Sequence, residues 1–214
     1  MVPEFLLVGD EAKMIDGLFK RHIDPLWEGF ARPLARHFTA NQITLLGLLA
    51  VVAVSTAFLS HGSTLWFGIG LIIAFSADSL DGAVARLRGE ASRFGGYLDA
   101  IIDRYQEMAV LAALAFKTGH WPAAFFVLAG SFLTSYAKAR TAVEVPISNS
   151  DWPDLFERQE RIMFICALLI LDGVLTQWLN LDFDLILWGL WIMAGLCHAT
   201  AIQRFFRART ILKG

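Results

Sequence analysis

Asp78-Ser79-Leu80-Asp81-Gly82-Ala83-Val84-Ala85-Arg86 and, after eight residues, Gly95-Gly96-Tyr97-Leu98-Asp99-Ala100-Ile101-Ile102-Asp103 set four carboxylates inside apolar sequence. On a helix of 3.6 residues per turn, Asp78 and Asp81 share one face, and Asp99 and Asp103 share one face of the next helix. Two acidic pairs on adjacent helices can converge. Four uncompensated carboxylates packed together repel one another, so a stable ionised cluster calls for a divalent cation. All-oxygen ligands point to magnesium, manganese or calcium and away from zinc. Gly82 and Gly95 remove side chains close to the acids and let a ligand approach the backbone. Ala85 continues the small surface, and Arg86 adds a fixed cation suited to a phosphate-bearing substrate. Together these features suggest phosphoryl transfer. Ordinary helix-end charges are the weaker reading, because acids within membrane spans are costly and mark function.

The surrounding chain has 214 residues, of which 56% are hydrophobic, with 17 Phe, 7 Trp and a mean hydropathy of +0.54. Repeated apolar segments near the ~20 residues that cross a bilayer imply an all-α polytopic membrane protein. A net charge of -2 gives no hint of nucleic-acid binding. Cys166 and Cys197 both fall in apolar segments, which reads as membrane-buried thiols and not a disulfide framework. The first apolar run, Phe5 to Val8, is too short for a signal peptide.

Two regions follow: a juxtamembrane amphipathic segment over 1–42 and a six-helix transmembrane catalytic domain over 43–214. In the first, Lys13, Lys20, Arg21, Arg32 and Arg36 alternate with Met14, Ile15, Leu18, Phe19, Ile23, Leu26, Trp27, Phe30 and Leu34 at spacings of three and four, the pattern of a surface helix broken at Pro25 or Pro33. Thr39-Ala40-Asn41-Gln42-Ile43-Thr44 then leads into the first span, and a Thr or Asn there caps a helix. Spans are expected at about 43–60, 65–86, 95–116, 121–140, 160–178 and 184–206, with a surface loop at about 141–159.

Sixteen of the eighteen lysines and arginines lie in the N-terminal region, the 86–94 turn, the 138–161 region and the tail. Such residues collect on the cytoplasmic side, so both termini and the acidic cluster are expected to face the cytoplasm.

The pattern D-x2-D-G-x2-A-R-x8-G-x3-D-x3-D resembles the signature of the CDP-alcohol phosphotransferases at every fixed position from Asp78 to Asp103. The Thr39–Thr44 phrase is also similar to that family's lead-in to its first span, with Ala40 where proline is usual. The resemblance implies an integral membrane enzyme that transfers a phosphatidyl-type group from a CDP-linked lipid to a small alcohol and releases CMP. It further implies magnesium or manganese, as two ions held by Asp78, Asp81, Asp99 and Asp103, with Asp103 as general base. Gly82 and Ala85 would make room for the cytidine, with Arg86 and Gly95 close to the nucleotide phosphates. Family members are often homodimers.

Ser135-Tyr136-Ala137-Lys138-Ala139-Arg140 and Glu157-Arg158-Gln159-Glu160-Arg161 resemble segments of the inositol-phosphate-using branch, the phosphatidylinositol-phosphate and archaetidylinositol-phosphate synthases. Lys138, Arg140, Arg158 and Arg161 would then bind a phosphate on the acceptor, with Glu157 and Glu160 ion-paired to the arginines at helical spacing. After Arg140 the chain departs from that branch, with Thr141-Ala142-Val143-Glu144-Val145-Pro146. Positive-inside topology alone also makes these segments basic. The alternatives are a phosphatidylglycerophosphate-type synthase using glycerol 3-phosphate and, from another class, a small membrane cation transporter. A transporter leaves Gly82, Ala85, Arg86 and Gly95 unexplained. His198 and the tryptophans of the last spans read as packing or interface residues.

Overall fold

The structure, a computed structural model, describes residues 29–147, 155–179 and 183–213, with side chains for all of these except 77–79 and 177–179. The expected amphipathic stretch before residue 29 and the side chain of Asp78 therefore lie outside the described residues. Six long helices follow a short helical segment at 29–37: α1 Ala40–His61, α2 Thr64–Arg88, α3 Arg93–Thr118, α4 Trp121–Glu144, α5 Arg158–Leu179 and α6 Leu185–Lys213. No strand occurs among the described residues. Three of the helices, α1, α2 and α6, are long and apolar enough to cross a membrane.

Local chemistry sets the helix boundaries. Thr39 and Gln42 form a reciprocal capping box at the start of α1, while Ser63 and Ser92 cap α2 and α3 through their hydroxyls. Gly89 ends α2 at φ 64°, a left-handed conformation that costs a glycine nothing. The 86–94 turn is thus only a few residues long, because α2 runs through Arg88 and α3 restarts at Arg93. The segment at 29–37 runs through Pro33 instead of breaking there, and its Ala31 packs with Ile43, Ala83 and Val84. The Ala35 carbonyl accepts from Arg88 Nη1 at 2.7 Å, which fixes that segment against the end of α2. Helix α6 reaches Lys213, a turn or more past the expected end, since its last residues combine good helix formers with cations that suit a C-terminus.

Packing runs α1 to α2, α2 to α5, α5 to α6, α6 to α4, α4 to α3 and α3 back to α1, which closes a ring. The core inside it includes Leu71, Leu114, Val127, Leu169 and Leu190, each fully buried. Between helices in lipid the hydrophobic drive is weak, so close backbone approach carries more of the association. Gly173 shows this: a Cβ there would lie 2.4 Å from Leu65 N, so α2 and α5 meet backbone to backbone. Cys166 and Cys197 are buried free thiols in the core, as their apolar setting implied. Helices α2 and α3, neighbours in sequence, are not among the closely packed pairs of described residues.

The alternating helices separate two ends. One end is tied by Thr64 Oγ1 donating to Asp172 Oδ2 at 2.8 Å, Lys117 Nζ donating to the Leu59 carbonyl at 3.1 Å, and His120 Nε2 against Asp184 Oδ2 at 2.8 Å. The other gathers the starts of α1, α3 and α5 and the ends of α2, α4 and α6, and it holds nearly all the buried polar side chains: Thr44, Asp81, Gln106, Ser131, Thr134, Thr141, Arg161, Thr200 and Arg204.

Candidate active site

Asp81 lies near the end of α2 with 7% of its surface exposed, and Thr44 Oγ1 on α1 donates to its Oδ2 at 2.6 Å. This hydroxyl comes from the phrase read in the sequence as a helix cap and as the family's lead-in to its first span. The same phrase reaches α3, because a Cβ on Gly95 would lie 3.4 Å from Asn41 Oδ1 and 3.2 Å from Ser92 Oγ. The first turns of α1 therefore touch both halves of the acidic motif. At Gly82, among the described side chains, an added Cβ would meet Arg86 Nη1 at 3.6 Å, so the guanidinium folds back beside the glycine. Ala85, half-buried, lies one turn further.

On α3, Asp99 and Asp103 are both half-buried, one turn apart. Arg158 of α5 sets Nη2 2.8 Å from Asp103 Oδ1 and donates to Gln106 Oε1 at 2.7 Å. Its guanidinium carbon lies 5.9 Å from the ring centroid of Phe75, one turn before Asp78 on α2. The basic segment that opens α5 is thus brought to the acidic motif and bridges its two helices.

The other basic candidates are placed differently. Arg161 is 3% exposed, donates to Glu107 Oε1 at 2.8 Å through Nη2, and also bonds the Phe156 carbonyl. Its partner is therefore Glu107 on another helix, where helical spacing had suggested Glu157 or Glu160. A guanidinium facing the bundle interior must be matched by a carboxylate that also faces inward. Arg140 pairs with Glu144 at 2.5 Å, with about half of each side chain exposed. Lys138 is half-buried near the end of α4. Arg204 of α6 donates to the Thr134 carbonyl at 2.5 Å, and His198 Nε2 lies 3.1 Å from the Phe126 carbonyl, a structural contact between α6 and α4.

Thr44, Gln106 and Glu107 were missed by the sequence reading. Glu107 had a signal: it continues the Asp99, Asp103 face by another four residues, just before the apolar run that starts at Met108.

The donor set fits a hard divalent ion: oxygen ligands, one of them deeply buried and held by a hydroxyl, beside the small residue Gly82. Among the described residues no three His, Cys, Asp or Glu side chains converge as a complete metal centre, Asp78 not being one of them.

Comparison with known proteins gives a consistent result. The family model described as CDP-alcohol phosphatidyltransferase matches residues 37–201. An archaetidylinositol phosphate synthase from Pyrococcus horikoshii is 33% identical over 178 residues, covering 82% of this chain and 86% of that protein. A phosphatidylinositol phosphate synthase from Mycobacteroides abscessus is 31% identical over 181 residues, covering 81% and 78%. The crystal structure of Mycobacterium tuberculosis phosphatidylinositol phosphate synthase with CDP-DAG bound superposes with a TM-score of 0.73 at 28% identity, covering 86% of this chain and 94% of that one. A second structure of that enzyme, in complex with manganese and citrate, gives 0.74 at 27% identity. The matched region contains every residue of the acidic motif, the chain has helices built to span a membrane, and its carboxylates suit a divalent metal. This integral membrane protein belongs to the CDP-alcohol phosphatidyltransferase family.

Proposed function

We propose that the chain transfers a phosphatidyl-type group from a CDP-linked lipid to inositol phosphate, with magnesium, releasing CMP. The observation that carries the acceptor is the 2.8 Å approach of Arg158 to Asp103, which puts a cation able to hold an acceptor phosphate beside the proposed base. The relatives named for inositol phosphate products support the same choice.

Asp78, Asp81 and Asp99 would hold two ions, Asp103 touching one of them, and Thr44 would orient Asp81 for its share. When bound, the ions neutralise the diphosphate and stabilise charge on the leaving CMP. Gly82 and Ala85 make room for the cytidine, while Arg86 and Gly95 lie along its phosphates. Asp103 takes the proton from the acceptor hydroxyl, whose oxygen bonds to the lipid-side phosphorus as the bond from that phosphorus to the CMP oxygen breaks. Arg158 and Lys138 orient the acceptor through its phosphate, while Arg140 and Arg161, expected at the same phosphate, are paired with Glu144 and Glu107.

The same reading takes all six helices as membrane spans, residues 1–42 as an amphipathic juxtamembrane segment, and the acidic end and both termini as cytoplasmic, in line with the distribution of Lys and Arg. It also takes the working unit as a homodimer. The test is an acceptor screen by CMP release, offering inositol phosphate, glycerol 3-phosphate, serine and free inositol against one CDP-lipid. Inositol phosphate should be used best; turnover led by glycerol 3-phosphate would select the phosphatidylglycerophosphate-type reading, and no CMP release with any acceptor would remove the enzyme assignment.

A further inference from the structure

Glu107 lies one turn beyond Asp103 on α3, its side chain about one-tenth exposed. It is the hub of a buried network across three helices. Arg161 Nη2 of α5 donates to its Oε1 at 2.8 Å, and Arg104 Nη1 of α3 donates to its Oε2 at 3.3 Å. The Ser131 hydroxyl of α4 also donates to Oε2. Two guanidiniums thus rest on one carboxylate in a site that excludes most water, so its charge is strongly coupled to both.

Each arginine passes the constraint on. Arg161 also bonds the Phe156 carbonyl, just before α5, which fixes the first turn of that helix. Arg158 sits on that turn and reaches Asp103 and Gln106. Arg104 follows Asp103 directly in sequence, yet its Nη2 stays 3.9 Å from Asp103 while Nη1 turns to Glu107 and to Ser135 Oγ at 2.8 Å. Glu107 therefore shares Arg104 with Asp103 and, through Arg161, anchors the turn that carries Arg158.

We infer that Glu107 is a positioning residue for acceptor use: through Arg161 it fixes the turn that sets Arg158 beside Asp103. The inference rests on the proposed roles of Asp103 and Arg158. Among the described residues Glu107 bonds Arg104, Ser131 and Arg161 and not Gly82, Ala85, Arg86 or Gly95 of the proposed donor subsite, so the two substrates should respond differently.

The experiment uses full-length Glu107→Gln, which keeps the volume and removes the charge, with kcat and both KM values measured by CMP release. Inositol phosphate KM should rise about 2- to 30-fold, the range by which residues acting through a neighbour modulate a site, while the CDP-lipid KM stays within about twofold. Combined with Arg158→Ala, Glu107→Gln should lose most of that effect, because its route to the acceptor is gone. Ser131→Ala, which removes one donor and leaves both arginines in place, should shift acceptor KM the same way by less, and it supplies the answer if Glu107→Gln does not fold. Equal rises in both KM values, or full additivity with Arg158→Ala, would overturn the positioning role. Unchanged acceptor KM in both variants would do so as well. Wild-type protein that ignores every phosphorylated acceptor would instead remove the underlying assignment of function.

Discussion

Replacing Thr44 by valine tests how the acidic motif is held. The side chains are close in shape and Thr44 is 5% exposed, so the change deletes a hydroxyl without opening a cavity. Lost with it is the 2.6 Å donation to Asp81 Oδ2, in a setting where Asp81 is itself 7% exposed and water is a poor substitute. A hydrogen bond to a charged group is worth about 1.5 to 3 kcal/mol, equivalent to about 10- to 150-fold in a binding constant. Partners that orient metal ligands typically alter metal affinity by about 10- to 100-fold, so two separate scales agree. The assay is CMP release from a CDP-lipid as manganese or magnesium is titrated. For Thr44→Val, the metal concentration at half-maximal rate should rise at least about tenfold, and Thr44→Ser, which restores the oxygen, should lie near wild type. A Thr44→Val curve superimposable on wild type would refute the claim that this hydroxyl prepares Asp81 for metal.

Further expectations follow from other parts of the molecule. Asp81→Asn or Asp99→Asn should abolish CMP release with a folded protein by gel filtration, and excess EDTA should do the same to wild type; full activity in EDTA would remove the metal. Asp103→Asn should lower kcat with little change in acceptor KM, whereas Arg158→Ala should raise acceptor KM by about 10- to 150-fold, from loss of one charge-assisted contact. Cysteines placed at Ser63 and Ser92, which cap helices at opposite ends of the ring, should label from opposite sides of the membrane. Gly173→Ala puts a Cβ 2.4 Å from Leu65 N, and forcing α2 and α5 apart should cost about 1 to 3 kcal/mol, read as a lowered Tm in detergent.

The helices and the acidic motif were legible because both are local. Ser63, Ser92 and Gly89 announce helix boundaries within a few residues, and the Asp78 to Asp103 spacing depends only on helical period. Arg140 with Glu144 likewise obeys a one-turn rule. Arg161 does not: its carboxylate lies 54 positions earlier on another helix, and nothing in a 3.6-residue period couples the two. Thr44 and Asp81, 37 positions apart, were hidden for the same reason, and the capping role of the Thr39 phrase already accounted for the sequence there. Long-range polar pairs depend on which helix faces which, and that follows from the ring order.

The placing of the acidic residues at one end of the bundle bears on the work a lipid substrate must do. Helices α2 and α3 are joined by a few residues at that end, and α1 packs against both of them. For a donor of the proposed class only the headgroup reacts. Drawing its chains into water would cost about 0.8 kcal/mol per methylene, on the order of 20 kcal/mol for two ordinary acyl chains. That exceeds what binding one headgroup commonly returns. Carboxylates carried at one end of long apolar helices would let the diphosphate meet them at the membrane surface while the tails stay dissolved in the bilayer. Extraction then never enters the barrier to turnover.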